Sequence, residues 1–114
     1  MKEPEAARSV QPPQPFREFA AKYPTVIEAY EQFGEAVRKA GPLTAREVAL
    51  AKLAISIGAR MQGSSHAHAR KALAQGVDAK ALEHVALLAA PTIGFPNMMA
   101  ALGWVRDVTR EGDG

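Results

Sequence analysis

At 114 residues the chain has room for one domain at most, and 14 Lys and Arg against 12 Asp and Glu leave a net charge of only +2. The basic residues are scattered without interleaved aromatics, which argues against nucleic acid as a partner, and the absence of cysteine excludes disulfides, thiolate nucleophiles and thiolate metal ligands. The longest apolar runs, such as Val85 to Ala90, fall far short of the ~20 residues that span a bilayer, and no signal-peptide pattern follows Met1, so a cytoplasmic protein without a membrane partner is expected.

Alanine makes up about a fifth of the chain and β-branched residues are few, a composition that favours helix. Met1 to Pro15 holds four prolines and no periodic pattern, and reads as a flexible tail or an arm docking on a neighbour. Residues 16–114 then read as a single all-α domain. Phe16 to Lys22 predicts a short helix. Tyr23 precedes Pro24, which resists continuation and opens the next helix. In that helix Ile27, Tyr30, Phe33 and Val37 recur at helical spacing, and Gly41-Pro42 ends the segment. Thr44-Ala-Arg-Glu47 predicts a capping box. The helix it opens is apolar over much of its circumference, is expected at the centre of the domain, and should run to Ala59 or Arg60.

Gly63 and the serines after it read as a break, with Ser64 or Ser65 capping a fourth helix that Gly76 closes. Asp78 caps a fifth, with Leu82, Val85, Leu88 and Ala89 as its apolar face and Pro91 as its stop. After a connection through Thr92 to Phe95, Pro96 begins a sixth helix with Met99, Leu102, Trp104 and Val105 inward. Thin alanine-rich helices bury little apolar volume, so association between copies is expected to complete the core.

One stripe carries candidate chemistry. On a helix, Met61, Ser64 and His68 fall within about 40° of one another, aligning a thioether, a hydroxyl and an imidazole. His68 reads either as an acid/base residue or as a structural histidine bonded to a carbonyl. Ser64 reads as a nucleophile beside His68 or as a helix cap. His66 points about 200° away from His68 on a regular helix, and no carboxylate stands at ligand spacing, so neither a metal nor a cofactor is expected. His84 reads as a residue at the edge of an apolar stripe.

From about Phe16 to Val108 the chain resembles the carboxymuconolactone decarboxylase and alkylhydroperoxidase-like family. The resemblance rests on Tyr23-Pro24, on Gly41-Pro42-Leu43-Thr44 leading to Leu53-Ala54-Ile55-Ser56, on His68, Ala72, Leu73 and Gly76 in a His-x-x-x-Ala-x-x-x-Gly pattern, and on Gly94-x-Pro96. It implies a six-helix alkylhydroperoxidase-like bundle that forms homo-trimers or homo-hexamers. The peroxidase branch carries a glutamate and Cys-x-x-Cys-x-x-x-His. With its histidine set on His68, its cysteines fall on Met61 and Ser64 and its glutamate on Ala49, two residues from Glu47. Neither methionine nor serine can attack peroxide and cycle through a disulfide, so thiol peroxidase chemistry is excluded.

The decarboxylase branch does not use that cysteine pair. Its reaction takes carbon dioxide from a carboxylated unsaturated lactone and protonates the dienolate left behind. By this resemblance His68 is the acid/base and Ser64 its catalytic neighbour, with Ser65, Met61, Glu47 and Arg60 (or Arg70) as candidates to contact a small anionic substrate. Two readings stand: a thiol-free, decarboxylase-like lyase, or a non-catalytic structural or ligand-binding oligomer.

Overall fold

The computed structural model describes residues 12–112, with side chains from 12 to 110. Met1 to Gln11, most of the expected tail, lie outside the described residues. Over the rest the chain forms helices α1 (Gln14–Lys22), α2 (Pro24–Arg38), α3 (Ala45–Gly58), α4 (Gln62–Ala74), α5 (Ala79–Leu87), α6 (Ala90–Ile93) and α7 (Phe95–Gly112), with no strand among the described residues. Six correspond to the expected helices, and the single turn α6 is additional. The described chain divides into two compact units, Pro12–Thr44 and the part beginning at Ala45.

In the first unit, α1 begins two residues earlier than its apolar pattern suggests. Gln14 and Pro15, read as tail, are helical, because a proline in the first turn lacks only an N–H that has no helical acceptor. Tyr23 ends α1 by donating its N–H to the Phe19 carbonyl (2.8 Å), and its ring packs 5.1 Å from that of Phe19. Pro24 then opens α2 as expected. The predicted stripe of α2 exists, but no residue of α2 is buried, and Tyr30 and Phe33 are 60% and 68% exposed. At its end the side chains of Arg38 and then Lys39 hold the Glu35 carboxyl down at about 2. This is a solvated surface network of small energetic weight.

The second unit opens with an antiparallel hairpin of α3 and α4. The break lies at Ala59–Met61, not at Gly63 and the serines. Arg60 donates its N–H to the Ile57 carbonyl and Met61 to that of Ser56, both at 3.0 Å. This is a Schellman closure, with Arg60 in the left-handed position at φ 63°. Glycine is the usual residue there, so sequence offered no signal. The closure lets α4 start at Gln62, with Met61 preceding it and no side-chain cap. Ser64 and Ser65 are therefore helical residues rather than caps. Gly76 closes α4 as expected, at φ 91°, with Gly76 and Val77 donating to Leu73 and Ala72.

Asp78 caps α5 through the Ala81 N–H, 3.3 Å away. The helix ends at Leu87, and Pro91 sits in the first turn of α6 rather than acting as a plain stop. Gly94 then takes φ 102°, a backbone that side-chain-bearing residues rarely adopt. Gly94→Ala is expected to cost about 1–3 kcal/mol, read as a lower urea midpoint at unchanged slope.

The core gathers Leu53 from α3, Ala69 and Ala72 from α4, Leu82 and Ala86 from α5, and Ala101, Val105 and Val108 from α7. Four of these are alanines, which let helix backbones approach closely. α7 packs on α4, α5 and α6, whereas α3 packs chiefly on α4 and α5. The expected central position thus belongs to α7, and α3 leaves Ile55 70% exposed. Met99, expected inward, is half exposed, and Met98 is buried in its place. The inward face of α7 follows 98, 101, 102, 105, 108, a phase that its mixed small and apolar residues do not announce.

Candidate functional site

His68 lies at mid-α4, half-buried. It makes no hydrogen bond among the described residues, and none of their fully buried side-chain nitrogens or oxygens lacks a partner, so its ring nitrogens reach solvent. Burial pushes its pKa below the ordinary histidine value, and the ammonium groups of Lys71 and Lys52 push it further in the same direction. Among the described residues no carboxylate acts against them. At neutral pH the ring is therefore uncharged, with one nitrogen donating and the other accepting.

The local sequence explains this setting. Lys71 follows His68 by three residues and so shares its helix face. Lys52 comes from the other arm of the hairpin. Positions 52 and 68 lie equally far from Arg60, where α3 turns back into α4. Neither lysine was singled out by sequence reasoning. The signal for Lys71 was helical spacing alone. The signal for Lys52 was the hairpin register, which requires knowing that the turn is centred on Arg60.

The other candidate residues separate. Ser64 is half-buried one turn before His68 on the same face, with no hydrogen bond between them. Met61 is 55% exposed at the entry to α4. Ser65 is turned into the core. Its hydroxyl lies 3.2 Å from that of Ser56, which donates to the Leu53 carbonyl at 2.7 Å. Because Ser56 donates to Leu53, Ser65 donates to Ser56, and this pair fastens the first turn of α4 to α3. Arg60 places its guanidinium 5.7 Å from the centre of the Trp104 ring, a cation–π contact. Glu47 is exposed in the first turn of α3, where a carboxylate suits the positive helix end. Arg70 is half-buried on α4.

His66 faces away from His68. Its Nε2 lies 3.0 Å from Asp107 Oδ2, joining α4 to α7. Arg106 beside Asp107 donates to Glu83 at 2.9 Å, joining α7 to α5. His84 is exposed in the last turn of α5. Among the described residues no cluster of three or more His, Asp or Glu is placed to hold a metal, and no helix is long and apolar enough to cross a membrane.

A cavity of about 250 Å³ opens elsewhere, lined by Ala54, Ile57 and Gly58 of α3, Val85, Leu88 and Ala89 at α5, and Thr92 and Ile93 of α6. It contains none of the candidate residues. Thr92, its one polar side chain, donates its hydroxyl to the Leu88 carbonyl at 2.7 Å.

The arrangement can therefore do one chemical thing well. It presents an uncharged imidazole that two lysines act on, with a hydroxyl one helical turn before it. No curated protein and no solved structure was found to match the chain. A family model described as the carboxymuconolactone decarboxylase family matches residues 24–107, which is most of the sequence and includes the His68 helix, and the chain belongs to that family.

Proposed function

We propose that this protein binds a small carboxylated metabolite at His68 and catalyses proton transfer on it, as a decarboxylase-like lyase that works without thiols. The observation that carries the reading is the unpaired His68 imidazole, its pKa lowered by burial and by the charges of Lys71 and Lys52, with no opposing carboxylate among the described residues. An anion entering here meets two cations and offsets the forces that keep the ring neutral. Binding then raises the His68 pKa, and the ring takes up a proton. In a decarboxylation, the bond to the departing carboxylate breaks and its electron pair moves into the conjugated carbonyl as a dienolate. Protonated His68 returns a proton to carbon, and Ser64 donates a hydrogen bond to the oxyanion. We further propose that the protein works as a homo-trimer or homo-hexamer, a reading supported by the exposed aromatic stripe of α2.

The test uses maleate as an unsaturated dicarboxylate probe, with its dimethyl ester as the uncharged control. In NMR titrations maleate is expected to shift the His68 ring signals and raise their titration midpoint. The ester should do neither, and His68→Gln should remove the response. No shift at millimolar maleate would sink the binding step. Turnover is read separately, by offering carboxylated unsaturated lactones in D₂O and following loss of carbon dioxide with deuterium entering at carbon. Binding without turnover would favour the second reading, a ligand-binding or structural oligomer. The missing hydrogen bond between Ser64 and His68 supports that alternative.

A further inference from the structure

Lysine is rarely taken far from water without a carboxylate to pair with it. Lys52 on α3 is half-buried, yet among the described residues it makes no ion pair and no hydrogen bond. Lys22, Lys39, Lys71 and Lys80 are all exposed. The hairpin sets its place. The hydroxyls of Ser56 and Ser65, 3.2 Å apart, fix the register of α3 against α4. Lys52 lies one helical turn before Ser56, and His68 one turn after Ser65. In antiparallel helices those two turns are neighbours, and the charge of Lys52 is felt at the His68 ring. Two helices thus bring an amine to an uncharged imidazole, with no described carboxylate to occupy the amine.

We propose that Lys52 is a covalent catalyst: its Nζ forms an imine with the ketone of a 3-oxo acid, and His68 supplies the protons. The inference rests on the proposed anion site at His68 and narrows its substrates to carboxylates that carry a ketone.

Two arguments favour an imine over a plain cationic anchor. The first is division of labour. A carboxylate is anchored well by an exposed, mobile ammonium, and Lys71 on the His68 face already supplies one. Lysines that act as nucleophiles stand partly out of water or beside a second cation, with an acid/base group close by. Lys52 is placed that way. The second is the electron sink. Loss of carbon dioxide leaves an electron pair that a single serine hydroxyl stabilises weakly, whereas an iminium nitrogen accepts it outright.

The steps balance with water and protons alone. Lys52 Nζ, after giving a proton to solvent, bonds to the ketone carbon and passes a second proton to the oxygen. His68, protonated when the anion binds, donates to that hydroxyl, which leaves as water and gives an iminium. The bond to the carboxylate breaks, carbon dioxide leaves, and the electron pair forms an enamine with neutral nitrogen. His68, reprotonated from solvent, returns a proton to carbon. Water then hydrolyses the iminium and frees the product ketone and Lys52.

The test offers acetoacetate with sodium cyanoborohydride to the full chain at neutral pH and maps the reduced adduct by peptide mass spectrometry. Lys52 is expected to be alkylated roughly ten-fold or more faster than Lys22, Lys39 and Lys80. Lys52→Arg keeps the charge but cannot form an imine. It should lose acetoacetate decarboxylation above the buffer rate while maleate still shifts the His68 ring signals, with circular dichroism checking the fold. His68→Gln should keep Lys52 and slow its labelling. A label spread evenly over the lysines, or decarboxylation unchanged in Lys52→Arg, would overturn the imine and leave the anion site standing on the maleate titration. A wild-type chain that neither responds to maleate nor labels selectively at Lys52 would overturn both.

Discussion

Leu82→Ala is expected to cost about 3 kcal/mol of folding free energy. Leu82 is fully buried in α5, among the alanines and valines that join α5 to α7. Removing its isobutyl group forfeits transfer energy and leaves a hole that rigid helix backbones cannot close. In a domain whose whole stability is of order 5–15 kcal/mol, that loss should be plain as a drop in urea midpoint at constant slope. Leu88→Ala is the paired measurement. The sequence places both leucines on one apolar face, but Leu88 is 55% exposed at the cavity. Its truncation should therefore cost well under half as much as that of Leu82. Equal losses would place both residues in one core and contradict the burial pattern.

That contrast shows what kind of information the sequence holds. Turn chemistry was local and legible: Pro24 at the start of α2, Asp78 at the cap of α5 and Gly76 at the end of α4 each act through their own backbone, and each was found where expected. Rotational phase was not legible. Leu88, Met99 and Ile55 are apolar residues on apolar helices, and nothing local distinguishes the core side from an outer face. A helix apolar on several sides, such as α3, has no dominant direction to read. The break at Arg60 was hidden for another reason. The hydrogen bonds of a Schellman closure and a cation–π contact with Trp104 hold an arginine where glycine is expected. Arg60 carries the turn that sets the register of the α3/α4 hairpin, so misplacing that turn also conceals which α3 residue acts on His68.

The site divides the same way. His68 was visible from its place in the His-x-x-x-Ala-x-x-x-Gly pattern, and Ser64 from its spacing to it. Ser65 looked equivalent to Ser64 in sequence, yet one helical step turns its hydroxyl from the half-buried face into the core against Ser56. Arg60 or Arg70 is the cation the resemblance calls for beside the substrate's carboxylates, and the structure adds Lys71 and Lys52 as charges that act on the imidazole.

Those lysines lead to the second large effect, a pH dependence of stability carried by His68. Its folded pKa lies below the unfolded value of about 6.5. Between the two, the unfolded chain binds more protons than the folded one. Stability is then fully present above about pH 6.5 and is lost as pH falls through the folded pKa, because the ring must charge in a half-buried place against the repulsion of two ammonium groups. Wild-type stability, from urea midpoints, is expected to fall more steeply below pH 6.5 than that of His68→Gln, and the two curves should run parallel above it. Lys71→Gln separates the causes. Burial is the larger one, so removing one ammonium should raise the His68 titration midpoint only part of the way to the ordinary value. The same variant should weaken maleate binding, since it removes a cation from beside the anion. A His68 midpoint that rises while maleate affinity stays unchanged would mean the anion does not sit between the lysines, and the proposed binding geometry would have to be abandoned even with the electrostatics of the imidazole correctly described.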